Sequence, residues 1–221
     1  MVGGGSHSST FSGGREQVVG VVLCGGESRR MGADKGRVVL GGETLVNRSV
    51  RCLSGVCGEV VLACGSEPRY EDMNLRLVLD AAGGQGPLAG LLASMEACAA
   101  EWFAVLACDL PRMVAAVPAA LLEKARMDEL DICMLESSGG SEPLIAVYRR
   151  SCLEPIRAAM HSGARRVDSF HAHPANSGSP LSVGRISVDV LPGDLKGRNV
   201  SMNLNTAGEL AAELACLKED V

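Results

Sequence analysis

The sequence predicts an α/β fold in which a largely parallel β-sheet is covered by helices on both faces. Three observations point to it. Short apolar runs rich in β-branched residues alternate along the chain with segments of helical apolar spacing. Aromatic residues make up only 3% of the 221 residues while hydrophobic residues make up 47%, so the core must be built from Val, Leu, Ala, Met and Cys. Such cores are common where helices pack on parallel strands. The conspicuous polar residues directly follow the apolar runs, beyond the carboxyl ends of the expected strands, which is where such sheets bind ligands. The predicted architecture is a Rossmann-like three-layer α/β/α arrangement.

Residues 17–24 form the first run and read as a buried strand. A Gly-rich loop begins at Gly25. Residues 37–40 are short and apolar, Gly41-Gly42 turns the chain, and 44–56 carries apolar residues at helical spacing. Residues 59–64 and 75–79 are the second and third strands, the latter ending at Asp80. Pro87 stands in the first turn of a helix that reaches Ala99. Residues 102–107 make a fourth strand, ending at Cys108-Asp109, and 118–126 a helix with Pro118 near its start. The second half is less regular. Residues 131–135 and 143–148 are strand candidates, 151–160 and 164–170 read as helical, 171–182 is a loop of Gly, Pro, Ser and Asn, and 185–191 alternates as a strand does. Thr206-Ala207-Gly208-Glu209 is a capping box that opens the last helix.

The length suits a single domain, expected over 15–221. Residues 1–14 are rich in Gly and Ser, lack the charged start and apolar middle of a signal peptide, and are expected to be a disordered tail. No stretch is long or apolar enough to span a membrane. The net charge of −5 argues against a general nucleic-acid binder, which needs clustered Lys and Arg. Nine cysteines include no CxxC pair and sit mostly in apolar runs, as small buried hydrophobes do in a reducing cytosol. The expected location is therefore cytoplasmic.

The strongest chemical feature is Leu23-Cys24-Gly25-Gly26-Glu27-Ser28-Arg29-Arg30-Met31-Gly32-Ala33-Asp34-Lys35. Gly25 and Gly26 permit positive φ and close backbone approach to a ligand. The amides of such a turn form an anion nest, and Arg30 and Lys35 add cationic charge suited to a triphosphate. The motif is neither a Walker A loop nor GxGxxG. Asp109, after a strand of small and apolar residues, is either a cap for the next segment or a metal ligand. Asp80, taken alone, reads as a turn or cap residue. Arg165-Arg166 is either a solvated helix face or a phosphate contact, and Asn203 and Asn205 are turn formers on residue type alone. His171 and His173 have no third metal ligand nearby in sequence and read as loop residues. Ser28 has no His or Asp paired with it in sequence, so a protein nucleophile is not indicated.

The loop resembles the signature of the molybdenum cofactor guanylyltransferases, within the nucleotidyltransferase superfamily: a strand, Leu-Ala-Gly-Gly, three variable residues, Arg-Met-Gly, a short gap, then Asp-Lys. Cys24 stands where Ala is usual. The resemblance continues, in order, through Asp80 with Gly86-Pro87-Leu88-Ala89-Gly90, Cys108-Asp109-Leu110-Pro111, Glu142-Pro143-Leu144-Ile145-Ala146, Gly163-Ala164-Arg165-Arg166-Val167 and Asn203-Leu204-Asn205-Thr206. Gly65 stands where many members carry a nucleotide-binding Asn.

The resemblance implies transfer of GMP from Mg-GTP to the terminal phosphate of molybdopterin, with release of pyrophosphate. It implies Arg30, Lys35 and Asp109 as catalytic residues, and Leu23, Cys24, Gly25, Gly26, Lys35, Asp80 and Asp109 around the nucleotide. It implies Asp109 as the Mg²⁺ ligand, and Arg165, Arg166, Asn203 and Asn205 beside the pterin substrate. It further implies transient contact with other cofactor-biosynthesis proteins or acceptor molybdoenzymes, and no nucleic-acid or membrane partner. The alternatives are a cytidylyltransferase for the same cofactor, whose first loop usually reads Leu-Ala-Ala-Gly, a sugar-1-phosphate nucleotidyltransferase, and a non-catalytic nucleotide-binding cofactor carrier. Retention of both Lys35 and Asp109 speaks against the last.

Overall fold

The computed structural model describes residues 17–25, 34–80, 86–174, 178–191, 195, 199–204 and 206–219. The tail expected at 1–14 lies outside the described residues. Strand β1 (Val18–Leu23) is followed by a small hairpin, β2 (Val39–Leu40) and β3 (Glu43–Thr44), and by helix α1 (Leu45–Ser54). Thr44 closes the first turn of α1, its hydroxyl accepting from the Asn47 amide at 3.3 Å. Then come β4 (Glu59–Ala63), β5 (Arg76–Val78), α2 (Pro87–Ala97), β6 (Trp102–Ala107) and α3 (Ala116–Met127). The second half contributes β7 (Ile132–Ser137), β8 (Gly140–Arg149), α4 (Leu153–His161), β9 (Val183–Ser187) and α5 (Ala207–Glu219).

Seven strands form one sheet in the order β5-β4-β1-β6-β8-β7-β9. The pairs β1–β4, β1–β6, β4–β5 and β7–β9 are parallel, as the alternation of elements predicts. β8 alone in this sheet is antiparallel to both neighbours. The cause is local. Ser138 and Gly139 are all that separates β7 from β8, and a two-residue turn reverses the chain, whereas a parallel return needs a long crossover.

Alternation along the strands builds two cores. Val18 and Val22 of β1, with Ala104 and Leu106 of β6, face Leu53 of α1 and Val117 and Leu121 of α3. Val19 and Val21, with Phe103 and Val105, face Leu88, Leu91 and Met95 of α2 and Ile156 of α4. A strand buried on both sides reads as an unbroken apolar run, which is why β1 shows no polar alternation. Cys24, Cys52, Cys57, Cys64, Cys98, Cys133 and Cys152 are buried free thiols within this packing. Among the described residues no helix is long and apolar enough to cross a membrane.

Two expected elements differ. Residues 164–170 do not continue a helix. Gly163 leaves α4 at φ 83°, and a short 3-10 turn, Val167–Phe170, follows. The strand expected at 185–191 is Val183–Ser187, after which the Ser187 hydroxyl accepts from the Asp189 amide and bends the chain into the 3-10 turn Val188–Val190. The capping box is as expected: the Thr206 amide donates to Glu209 Oε2 at 2.9 Å and the Glu209 amide donates to Thr206 Oγ1 at 3.2 Å.

Candidate active site

β5, β4, β1 and β6 lie side by side and point the same way, so their carboxyl ends form one edge. Hydrogen bonding continues past the strands. The Cys24 amide donates to the Ala63 carbonyl (3.0 Å), the Cys64 amide to Val78 (3.0 Å), the Asp80 amide to Gly65 (2.8 Å) and the Cys108 amide to Leu23 (3.2 Å). Leu23, Cys24, Gly25, Asp80 and Asp109, expected at a nucleotide site from three separate motifs, are thereby gathered on one rim. Gly26, Arg30 and Asn205 lie outside the described residues.

Gly25 does not need the positive φ expected of it; that conformation falls on Gly65, at φ 81°. Gly25 is required by close approach. A Cβ built on it would lie 2.4 Å from the Gly65 nitrogen, and one on Gly65 would lie 3.0 Å from the Gly25 carbonyl oxygen. The tips of β1 and β4 therefore meet backbone to backbone, with Gly65 in the left-handed conformation at the contact.

Lys35, 74 residues before Asp109 in the chain, places Nζ 3.4 Å from Asp109 Oδ2, with both side chains about one-fifth exposed. Asp109 also fixes the last expected segment, since its carbonyl accepts from the Leu204 amide at 3.0 Å. That bond draws Asn203, which is exposed, to the end of β6. Asp80 Oδ1 is buried without a hydrogen-bond partner among the described residues, beside Gly90 of α2. Burial raises the Asp80 carboxyl above its ordinary range. The close approach of Gly86 to Arg165, whose carbonyl would lie 2.8 Å from a Cβ at residue 86, brings the start of α2 against the Arg165-Arg166 segment. Arg166 is exposed and bound bidentately by Asp168, at 3.1 and 2.9 Å.

Two thiols at this rim, Cys24 and Cys108, are held in the protonated form, while the hydrogen bond with Cys24 lowers Cys64. The hydrogen bond with Cys64, 3.9 Å away between sulfurs, together with burial raises Cys24 well above the usual thiol range. Burial and the neighbouring Asp109 push Cys108 up to about 12. Neither sulfur is poised as a nucleophile. His171 packs edge-on against Phe170 at 4.8 Å.

Two residues beside Lys35 were given no role of their own by the sequence reading. Asp34 caps the 3-10 turn Lys35–Arg37, its carboxylate accepting from the Gly36 amide at 3.0 Å, and the Tyr70 hydroxyl donates to the same oxygen at 2.5 Å. Adjacency to Lys35 was a signal for Asp34. Tyr70 gave none, since 36 residues separate it from Asp34.

Residues 20–175 match the family model described as the MobA-like NTP transferase domain. A protein of Opitutus terrae named "Probable molybdenum cofactor guanylyltransferase" is 39% identical over 159 residues, covering 70% of this chain and 78% of its own. One from Desulfosudis oleivorans named molybdenum cofactor guanylyltransferase is 34% identical over 204 residues, covering 92% of this chain and 97% of its own. Among solved structures, molybdopterin-guanine dinucleotide biosynthesis protein A from Archaeoglobus fulgidus superposes with a TM-score of 0.75 at 23% identity, over 91% of this chain and 99% of that one, a likeness of fold.

Proposed function

The chain belongs to the family of MobA-like NTP transferase domains, and from that premise we propose that it is a molybdenum cofactor guanylyltransferase, a nucleotidyltransferase that passes GMP from GTP to the phosphate of molybdopterin. The observation that carries the reading is the meeting of Lys35 and Asp109 at 3.4 Å on the rim that also holds Gly25. A cation, an anion and a side-chain-free turn stand together where a triphosphate and its counter-ion need them.

In this reading the molybdopterin phosphate oxygen attacks the α-phosphorus of GTP, the bond from that phosphorus to the bridging oxygen breaks, and pyrophosphate leaves. Gly25 and Gly26 admit the triphosphate to the backbone, and Lys35 and Arg30 offset its charge. Asp109 already faces one cation, the Lys35 ammonium. This is the chemistry of a hard-cation ligand, since Mg²⁺ takes one or two carboxylates and completes its shell with phosphate oxygens and water. Asp109 would hold Mg²⁺, which when bound neutralises charge on the phosphates. Leu23, Cys24 and the half-buried Asp80 line the nucleotide side, and Arg165, Arg166, Asn203 and Asn205 the pterin side. No protein nucleophile is involved, in keeping with the protonated Cys24 and Cys108, and the rate comes from positioning and charge neutralisation. The functional unit is 15–221, acting in the cytoplasm, with transient contact to other cofactor-biosynthesis proteins or acceptor molybdoenzymes.

The test is guanylyl against cytidylyl transfer to molybdopterin under matched conditions with Mg²⁺. The Gly25-Gly26 turn predicts that GTP is the better donor. Faster transfer from CTP would overturn the guanylyl assignment and leave the family unchanged.

A further inference from the structure

Lys35 rides on a 3-10 turn of only three residues, Lys35–Arg37, too short to hold its own orientation. Asp34, Gly36 and Arg37, its neighbours in the turn, each meet the connection between β4 and β5. Asp34 Oδ1 accepts from the Tyr70 hydroxyl at 2.5 Å while also accepting from the Gly36 amide. Gly36 has no space for a side chain, because a Cβ there would lie 2.4 Å from the Tyr70 oxygen. Arg37 lies over the Tyr70 ring, 4.6 Å from its centroid, and makes a bidentate pair with Asp72. Tyr70 itself is buried and sits at φ 64°, a left-handed conformation that is a genuine outlier for a bulky side chain and persists only where the surroundings over-determine it. Lys35, in the middle of this seating, reaches Asp109.

We propose that Tyr70 is a positioning residue for nucleotidyl transfer: its hydroxyl, through Asp34, sets the 3-10 turn so that Lys35 is held at the triphosphate. The inference rests on the reading of Lys35 as the phosphate-neutralising cation. Burial, and then the hydrogen bond to Asp34, keeps the phenol protonated far above its ordinary 10, so it remains a donor.

The experiment is a double-mutant cycle of wild type, Tyr70→Phe, Lys35→Ala and the double variant, read as kcat/KM for GTP by pyrophosphate release and, separately, as Tm. Tyr70→Phe keeps the ring and its stack with Arg37 and removes only the hydroxyl. It is expected to lower kcat/KM about tenfold, the worth of one hydrogen bond to a charged group. In the Lys35→Ala background it is expected to change kcat/KM less than about twofold, while its effect on Tm is the same in both backgrounds. A purely structural Tyr70 would give the same fractional loss of kcat/KM with or without Lys35, and that outcome overturns the inference alone. A Lys35→Ala enzyme working at the wild-type rate would instead remove the phosphate role of Lys35, and the inference with it. Should Tyr70→Phe not fold, Asp34→Ala breaks the same link from the other side and must show the same dependence on Lys35.

Discussion

Asp109→Asn removes one negative charge from the end of β6 and changes little else. The pair with Lys35 spans 3.4 Å, and the two side chains keep 20% and 18% of their surface in water. At an effective dielectric of ~20 the gross attraction is about 5 kcal/mol. Both groups give up water to meet, and the net worth of such a partly exposed pair is about 1 kcal/mol. An Asn oxygen still accepts from Lys35, and the backbone carbonyl of residue 109 still holds the Leu204 amide. The variant should therefore melt within about 2–4 °C of wild type in the absence of nucleotide. Its chemistry should suffer far more. The carboxylate that would hold Mg²⁺ is gone, and losing about 4 kcal/mol of charge stabilisation in the transition state slows turnover about 10³-fold. The two readouts are thermal melting and pyrophosphate release at saturating GTP, molybdopterin and Mg²⁺. Turnover within a few-fold of wild type would refute the metal-facing role and leave the Asp109 carboxylate as the partner of Lys35 alone, with Asp80 the next carboxylate to try.

Gly25→Ala places a methyl 2.4 Å from the Gly65 nitrogen, against backbone that cannot swing aside. A loss of about 1–3 kcal/mol in denaturant unfolding is expected, with weakened GTP binding in titration calorimetry. Asp80→Asn should stabilise the ligand-free protein at neutral pH. The folded-state pKa of Asp80 is raised by burial, so the wild type is favoured below the ordinary value of 3.8 and loses that advantage as pH rises through the folded value. A Tm-versus-pH comparison in which the wild type equals or exceeds the variant at pH 7 would count against it. Arg112→Ala strands Glu213, which is buried and bound by two bonds of 2.8 and 2.7 Å. It should lower unfolding stability by about 2 kcal/mol through loosening of α5, while kcat at low temperature stays near wild type.

The parallel half of the sheet was legible because burial on both faces leaves a mark that needs no partner to be read. β1 and β6 are unbroken apolar runs, and their boundaries follow from where Asp109 and the Gly25 turn interrupt them. The last helix was legible for a similar reason, since the Thr206–Glu209 capping box is a contact between residues three apart. Elements set by less local balance came out differently. Residues 164–170 have helical spacing, but the left-handed Gly163 and the packing of Phe170 on Tyr148, at 5.9 Å, turn them into a 3-10 segment.

The candidate site divides the same way. The residue types proposed to meet a triphosphate were visible in the chain itself, because glycines after a buried strand, a nearby lysine and a carboxylate at a strand end are each local patterns. That Lys35 and Asp109 touch across 74 residues, that Gly25 is required by Gly65 rather than by its own φ, and that Tyr70 seats the turn carrying Lys35 were decided only by tertiary structure. These are contacts between segments whose spacing along the chain carries no trace of their spacing across the sheet. Strand order and register place them together, and both depend on the packing of the whole sheet between its helices.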